Sequence, residues 1–185
     1  MSSDMDAAEH SIEMHLPYVR HVFRDVHVKV VPVVVGSLSE EKERSFGRLF
    51  STWLGDGESF FVISSDFCHW GTRFRYTTVD RRSEFIWQGI QRLDRDGMDA
   101  IESGSHSAFC NYQTRTDNTI CGKHPIGLLL TALSYCSKHS GHNFSIRFVR
   151  YEQSSKCLTT SDSSVSYASA LVQTTGSPTR NSRRA

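Results

Sequence analysis

Ser64-Ser65-Asp66-Phe67-Cys68-His69-Trp70-Gly71, delivered by the apolar run Phe60-Phe61-Val62-Ile63, is the stretch on which the reading of this chain turns. The run Phe60–Ile63 is short, apolar and rich in β-favouring residues, which predicts a buried strand. Behind it a carboxylate, a thiol, an imidazole and an indole follow within five residues. In open α/β sheets ligands bind outside the carboxyl ends of the strands, so this polar run stands where a site is expected. A second polar knot, Asn118-Thr119-Ile120-Cys121-Gly122-Lys123-His124-Pro125, lies further along. Together the two suggest half of a metal or redox pocket.

Working outward, residues 26–35 carry seven valines and predict another buried strand, with Pro32 at a bulge or edge. Ser37 or Ser39 can cap the helix that follows, with Glu40, Glu41 and Glu43 near its positive end. Phe46, Leu49, Phe50 and Trp53 then share one face, and Gly55-Asp56-Gly57 ends the helix. Residues 80–94 read as a helix with Phe85, Ile86, Ile90 and Leu93 on one stripe. Shorter helices are expected over 98–102 and 105–114. Pro125 suits the first turn of a helix over 126–138, because its missing N–H is not needed there. Residues 143–151 alternate at period two, as do residues 164–172, and both predict strands. The β-α-β-loop-α order predicts an α/β domain over residues 9–172. Residues 1–8 read as a disordered start, and residues 173–185, rich in Ser, Thr, Gly and Arg, as a disordered tail.

Composition bounds the function. A chain of 185 residues suffices for one domain with a substantial core. A net charge of +1 argues against bulk attraction to nucleic acid or an anionic membrane. No run is long and apolar enough to insert in a bilayer. The polar, acidic start lacks the core of an export signal, which points to the cytoplasm and leaves the nucleus open. Five cysteines without tight spacing read as reduced thiols rather than a disulfide framework.

Asp66, Cys68 and His69 offer ligands to a transition metal; the alternative pairs Asp66 with Arg73 or Arg75 and buries Cys68 as filler. Cys121, at a helix mouth, is either a stabilised thiolate or an inert loop cysteine. A cysteine–histidine hydrolytic dyad lacks its accompanying glycine pattern. In Glu9–Tyr18, His10, Glu13 and Met14 share one helical face, and Ser11 and His15 another. His21, His27, His106, His139 and His142 read as surface or loop residues. Arg81, Arg82, Arg180, Arg183 and Arg184 are too few and too mixed for a nucleic-acid footprint. Arg73, Arg75 and Lys123 flank the two knots and suit a phosphate.

The strings EHSIEMHLPY (9–18), PVVVGSLSEEKERSFGRLF (32–50), SSDFCHWGTRFRY (64–76), NTICGKHPIG (118–127) and SSVSYASALV (163–172) together resemble the Memo family. The resemblance implies an α/β fold similar to the LigB-like class III extradiol dioxygenases. It implies a role in receptor-tyrosine-kinase signalling to the cytoskeleton and cell motility. Asp66 and His69 match residues lining the family's pocket, and Cys121 matches its cysteine ligand, so copper or iron and redox chemistry are implied. Two further histidine ligands belong to a leading strand-helix segment that this chain is expected to lack; His10 or His15 is the nearest substitute by residue type. Three functions follow as expectations. One is an interaction protein with a vestigial metal pocket, whose Arg73, Arg75, Lys123, His124 and His10 meet a phosphotyrosine-containing receptor peptide or an adaptor. Another is a metal-dependent oxidoreductase, and the last is an inactive fragment.

Overall fold

The computed structural model describes residues 9–80 and 82–175, which fall into a leading unit within residues 1–36 and a main unit within residues 37–185. The single domain expected over 9–172 thus divides after Gly36. The disorder expected for residues 1–8, and for the tail beyond residue 175, lies outside the described residues, as do Arg81, Arg180, Arg183 and Arg184.

In the leading unit a 3₁₀ turn, Glu13–His15, runs into α1, Leu16–Val22, with Pro17 in its first turn where no N–H is needed. The valine run that follows forms no strand. Residues 27–39 adopt no regular structure, and Val26, Val28, Val30, Val31, Val33 and Val34 are exposed. Strand propensity measures fit to a pleated, half-buried surface, and without a neighbouring strand the propensity has nothing to act on.

The main unit opens on α2, Glu40–Leu54, where Ser39 Oγ accepts the Lys42 N–H and three glutamates occupy the positive end. The stripe expected to be buried is not: Phe46, Leu49 and Trp53 are exposed. The helix instead buries Glu43 and Gly47, the face set against α5, Lys123–Ser140. A Cβ on Gly47 would stand 1.9 Å from Thr131 Oγ1, and one on Gly127 2.4 Å from Glu43 Oε2. Two glycines therefore let the helices approach closely, and Thr131 Oγ1 donates across the gap to the Glu43 carbonyl at 3.0 Å. Close approach at small residues has overridden the apolar stripe.

Phe60–Ile63 also fails as a strand, with Phe60 and Val62 exposed. Pairing begins later. Phe67 N–H donates to Ser166 O, Ser166 N–H donates to Cys68 O, and β1, His69–Trp70, pairs antiparallel with β3, Ser164–Thr174. β3 also pairs antiparallel with β2, Phe144–Gln153, giving the order β1-β3-β2. A bulge between Phe148 and Arg150 shifts the register. β3 runs two residues into the stretch read as tail. The polar run thus lies along a short edge strand of an antiparallel sheet, not beyond the end of a buried strand.

α3, Ile86–Glu102, starts later than expected and absorbs the short helix over 98–102; residues 82–85 bend ahead of it, and Arg82 binds Asp80. α4, His106–Thr116, is capped by Ser105, which accepts the Ala108 N–H. Gly141 closes α5 in the left-handed region at φ 72°. The main core gathers Phe67, Met98, Ile101, Phe109, Leu130 and Ile146; a smaller one holds Cys68, Trp70, Tyr76, Ile90 and Cys157. Between them Asp94, fully buried, accepts from Cys68 N–H, Asn118 Nδ2 and Tyr151 OH. The architecture is mixed α/β: five helices and a small antiparallel sheet among the described residues. Among the described residues no helix is long and apolar enough to cross a membrane.

Candidate functional site

Burial sorts the polar run. Phe67, Cys68 and Trp70 are buried, while His69 is only partly so. Cys68 packs beside Cys157, and burial, then the nearby Asp94, pushes its thiol far up. A thiol so placed is core filler, and Cys68 leaves the list of ligands.

Asp66 pairs with His69 rather than with Arg73 or Arg75. Its Oδ2 lies 3.7 Å from His69 Nε2. His69 is fixed from behind: Nδ1 lies 3.0 Å from both Phe67 O and Thr119 O, and the His69 N–H donates to Thr119 Oγ1 at 2.7 Å. The carbonyls set Nδ1 as the protonated nitrogen and leave Nε2 facing the carboxylate. Cys121 joins them, its exposed Sγ accepting the Asp66 N–H at 3.1 Å. Gly122 makes this possible. Its N–H donates to Ser65 Oγ at 3.0 Å, and a Cβ there would stand 2.4 Å from Ser65 Cβ. The two polar knots therefore meet.

Basic groups border the cluster. The Arg73 guanidinium sits 4.7 Å over the Phe74 ring, whose edge-on partner at 5.3 Å is His69. Arg75 is held in the left-handed region at φ 57°, and Lys123 opens α5. All three are exposed, and among the described residues none forms an ion pair with a carboxylate. His10 bonds Glu13 within the leading unit, and His15 bonds the Ser11 carbonyl.

His124 does not share the cluster's hydrogen bonds. Its Nδ1 meets Glu43 Oε1 at 2.8 Å, and the other oxygen of that buried carboxylate meets His106 Nε2 at 2.6 Å. His106 is thus no surface histidine; its side chain is 11% exposed. Cys110, one turn on, lies 3.7 Å from His106 Nδ1. Burial, then Glu40 and Glu43, pushes its thiol up to about 11. The i, i+4 spacing of His106 and Cys110 was the available signal; their partners on α2 are distant in sequence. Among the described residues, Glu40, His106 and Cys110 bring three metal-donor atoms within 4.8 Å of one another. Asp66, His69 and Cys121 sit more loosely, although a free Nε2 anchored through Nδ1, a thiol and a carboxylate are a donor set that suits copper or iron.

Fold and site define a mixed α/β domain with an imidazole–carboxylate–thiol cluster bordered by exposed cations. The profile of the Memo-like protein family matches residues 1–171, and the chain belongs to that family. It is 50% identical over 174 residues to Protein MEMO1 of Rattus norvegicus and 51% identical to that of Xenopus tropicalis, covering 93% of this chain in each case. The Caenorhabditis elegans Protein memo-1 homolog is 42% identical over 168 residues, 90% of this chain and 48% of its own length. The chain spans 58% of the length of the two vertebrate relatives.

Proposed function

We propose that this chain is a Memo-type interaction protein that binds a phosphorylated tyrosine segment of a signalling partner and so acts in the cytoplasm between a receptor and the cytoskeleton. The observation that carries the reading is a set of three exposed cations that, among the described residues, pair with no carboxylate: Arg73, stacked on the Phe74 ring that meets His69, Arg75 two residues further along the chain, and Lys123 two residues after Cys121. Guanidinium groups bind phosphate in fork geometry, and Arg73 is already oriented by stacking on Phe74. The N-terminus of α5, with its positive end, begins two residues after Cys121. His124 contributes indirectly, holding Glu43 between α2 and α5.

The test is a titration with a tyrosine-phosphorylated peptide and its unphosphorylated twin. One charge-assisted contact implies a preference of about tenfold or more. Arg73→Ala and Lys123→Ala should each reduce it. Equal affinity for the two peptides would refute the reading.

A second reading is favoured by the meeting of the two knots. Asp66, His69 and Cys121 would hold copper or iron, which would supply redox chemistry in the manner of the LigB-like dioxygenases. Here the chain's own part is definite: Thr119 and Phe67 orient His69, Gly122 admits Cys121, and Asp66 links the two. Copper- or iron-loaded protein that oxidises no catechol and shows no metal-dependent turnover would leave only the interaction role.

A further inference from the structure

On the other side of Glu43 lies a set of groups that neither reading uses. α2 contributes Glu40 and Glu43, the first turns of α4 contribute His106 and Cys110, and α5 contributes His124. We propose that Glu40, His106 and Cys110 form a separate zinc-binding site at the junction of α2 and α4, with Glu43 holding His106 in its ligating orientation.

The geometry carries this in three ways. First, in a tetrahedral site with Zn–S of about 2.3 Å and Zn–N of about 2.0 Å, sulfur and nitrogen stand roughly 3.5 Å apart. Cys110 Sγ stands 3.7 Å from His106 Nδ1 and 3.6 Å from Nε2, so the sulfur already lies at about that distance from the ring, and its side chain has to turn toward Nδ1 for the two to ligate one ion. Second, His106 Nε2 is taken by Glu43 Oε2 at 2.6 Å, which leaves Nδ1 as the ligating nitrogen. A carboxylate behind a ligating imidazole fixes its tautomer and orientation and raises its basicity. Glu43 is itself fixed, because His124 Nδ1 holds its other oxygen at 2.8 Å. Third, Glu40 brings the carboxylate within 4.8 Å of both other donors from a half-exposed position in the first turn of α2. Its present partner is Arg44, at 3.2 Å across one exposed turn, a contact easily exchanged.

The donor set selects the ion. One thiolate, one imidazole and one carboxylate suit zinc, and the three-ligand count leaves a fourth position for water. Binding displaces the Cys110 thiol proton to solvent, so each ion bound releases one proton. The site differs from the Asp66–His69–Cys121 cluster in every ligand, and it stands whether or not that cluster binds anything.

Cobalt(II) is the probe, because cobalt–thiolate charge transfer reports sulfur ligation directly. The full chain carrying Cys121→Ala, which removes the exposed competing thiol, is titrated with cobalt(II) and then with zinc. The expected result is a charge-transfer band saturating at one equivalent and bleached by zinc. Adding Cys110→Ser should abolish the band, and adding Glu40→Gln should weaken binding by about tenfold or more. Glu40 is half-exposed, so its replacement tests ligation without disturbing the fold; unfolding midpoints of each variant are compared with the parent. Absence of the band in well-folded Cys121→Ala protein, or a band that survives Cys110→Ser, would overturn the proposal.

Discussion

Gly47→Ala sets helix propensity against packing. In an exposed helix this change stabilises by roughly 0.5–1 kcal/mol, because glycine loses the most freedom on folding. At Gly47 the added methyl would lie 1.9 Å from Thr131 Oγ1, 2.7 Å from Thr131 Cβ and 3.0 Å from the Ala132 backbone nitrogen. Thr131 cannot swing clear cheaply, since the carbonyls of Glu43 and Leu128 share its one hydroxyl proton. α2 and α5 must part, and overpacking of this kind costs about 1–3 kcal/mol, more where hydrogen bonds break as well. Packing wins: the net expectation is a loss of about 2 kcal/mol, or a fall of about 4–8 °C in Tm for a chain of this size. Thermal and urea unfolding measure it, with Ser45→Ala on the exposed face of α2 as the control. Thr131→Gly opens the space, so in a double-mutant cycle with Gly47→Ala the two losses should add to less than their sum. An unchanged or raised Tm for Gly47→Ala would refute the close helix contact, and with it the placement of Glu43.

Other outcomes follow from the same structure. Burial holds the Asp94 carboxyl above its usual range, so its proton is bound more tightly in the folded chain. That stabilisation is complete below the unfolded value of about 3.8 and is lost as pH rises through the raised folded value; the urea midpoint of wild type relative to Asp94→Asn should therefore fall as pH rises above about 3.8, and parallel curves would contradict it. Copper(I) or iron(II) at about 100 times its Kd should stabilise the chain by about 2.7 kcal/mol, with a smaller shift in Cys121→Ala; equal shifts in thermal scans of both would remove Cys121 from the metal site. Gly122→Ala should lower stability by about 1–3 kcal/mol and shrink the same metal-induced shift, because the methyl collides with Ser65; an unaltered shift would show that Cys121 does not depend on that contact.

The parts of the fold with local causes could be read in advance. Ser39 caps α2, Pro125 sits in the first turn of α5, Gly141 ends it, and period-two patterning marks β2 and β3. Each of these signals acts within a few residues of its effect. The misreadings involve distant partners. Phe60–Ile63 and the valine run have strand composition, but pairing requires a neighbour that composition does not name. The apolar stripe of α2 pointed one way, while Gly47 and Glu43 met Thr131 and Gly127 the other way, and no hydrophobic period registers a pair of glycines. Family resemblance brought Asp66, His69 and Cys121 together where their spacing left them ambiguous. It could not reveal that His106, separated from Glu43 by 63 residues, is held by that carboxylate.

The exposed valines have a bearing on how the chain behaves in company. From Val26 to Val35 the backbone offers a β-favouring ribbon with no partner strand among the described residues, and among the residues that break up its valines are Lys29 with its charge and Pro32 with its missing N–H. Those are the devices by which natural sequences keep bare strands from stacking on one another. Lys29 and Pro32 therefore bear on how the chain behaves at high concentration. Losing either one would take away a brake on self-templated assembly of the ribbon.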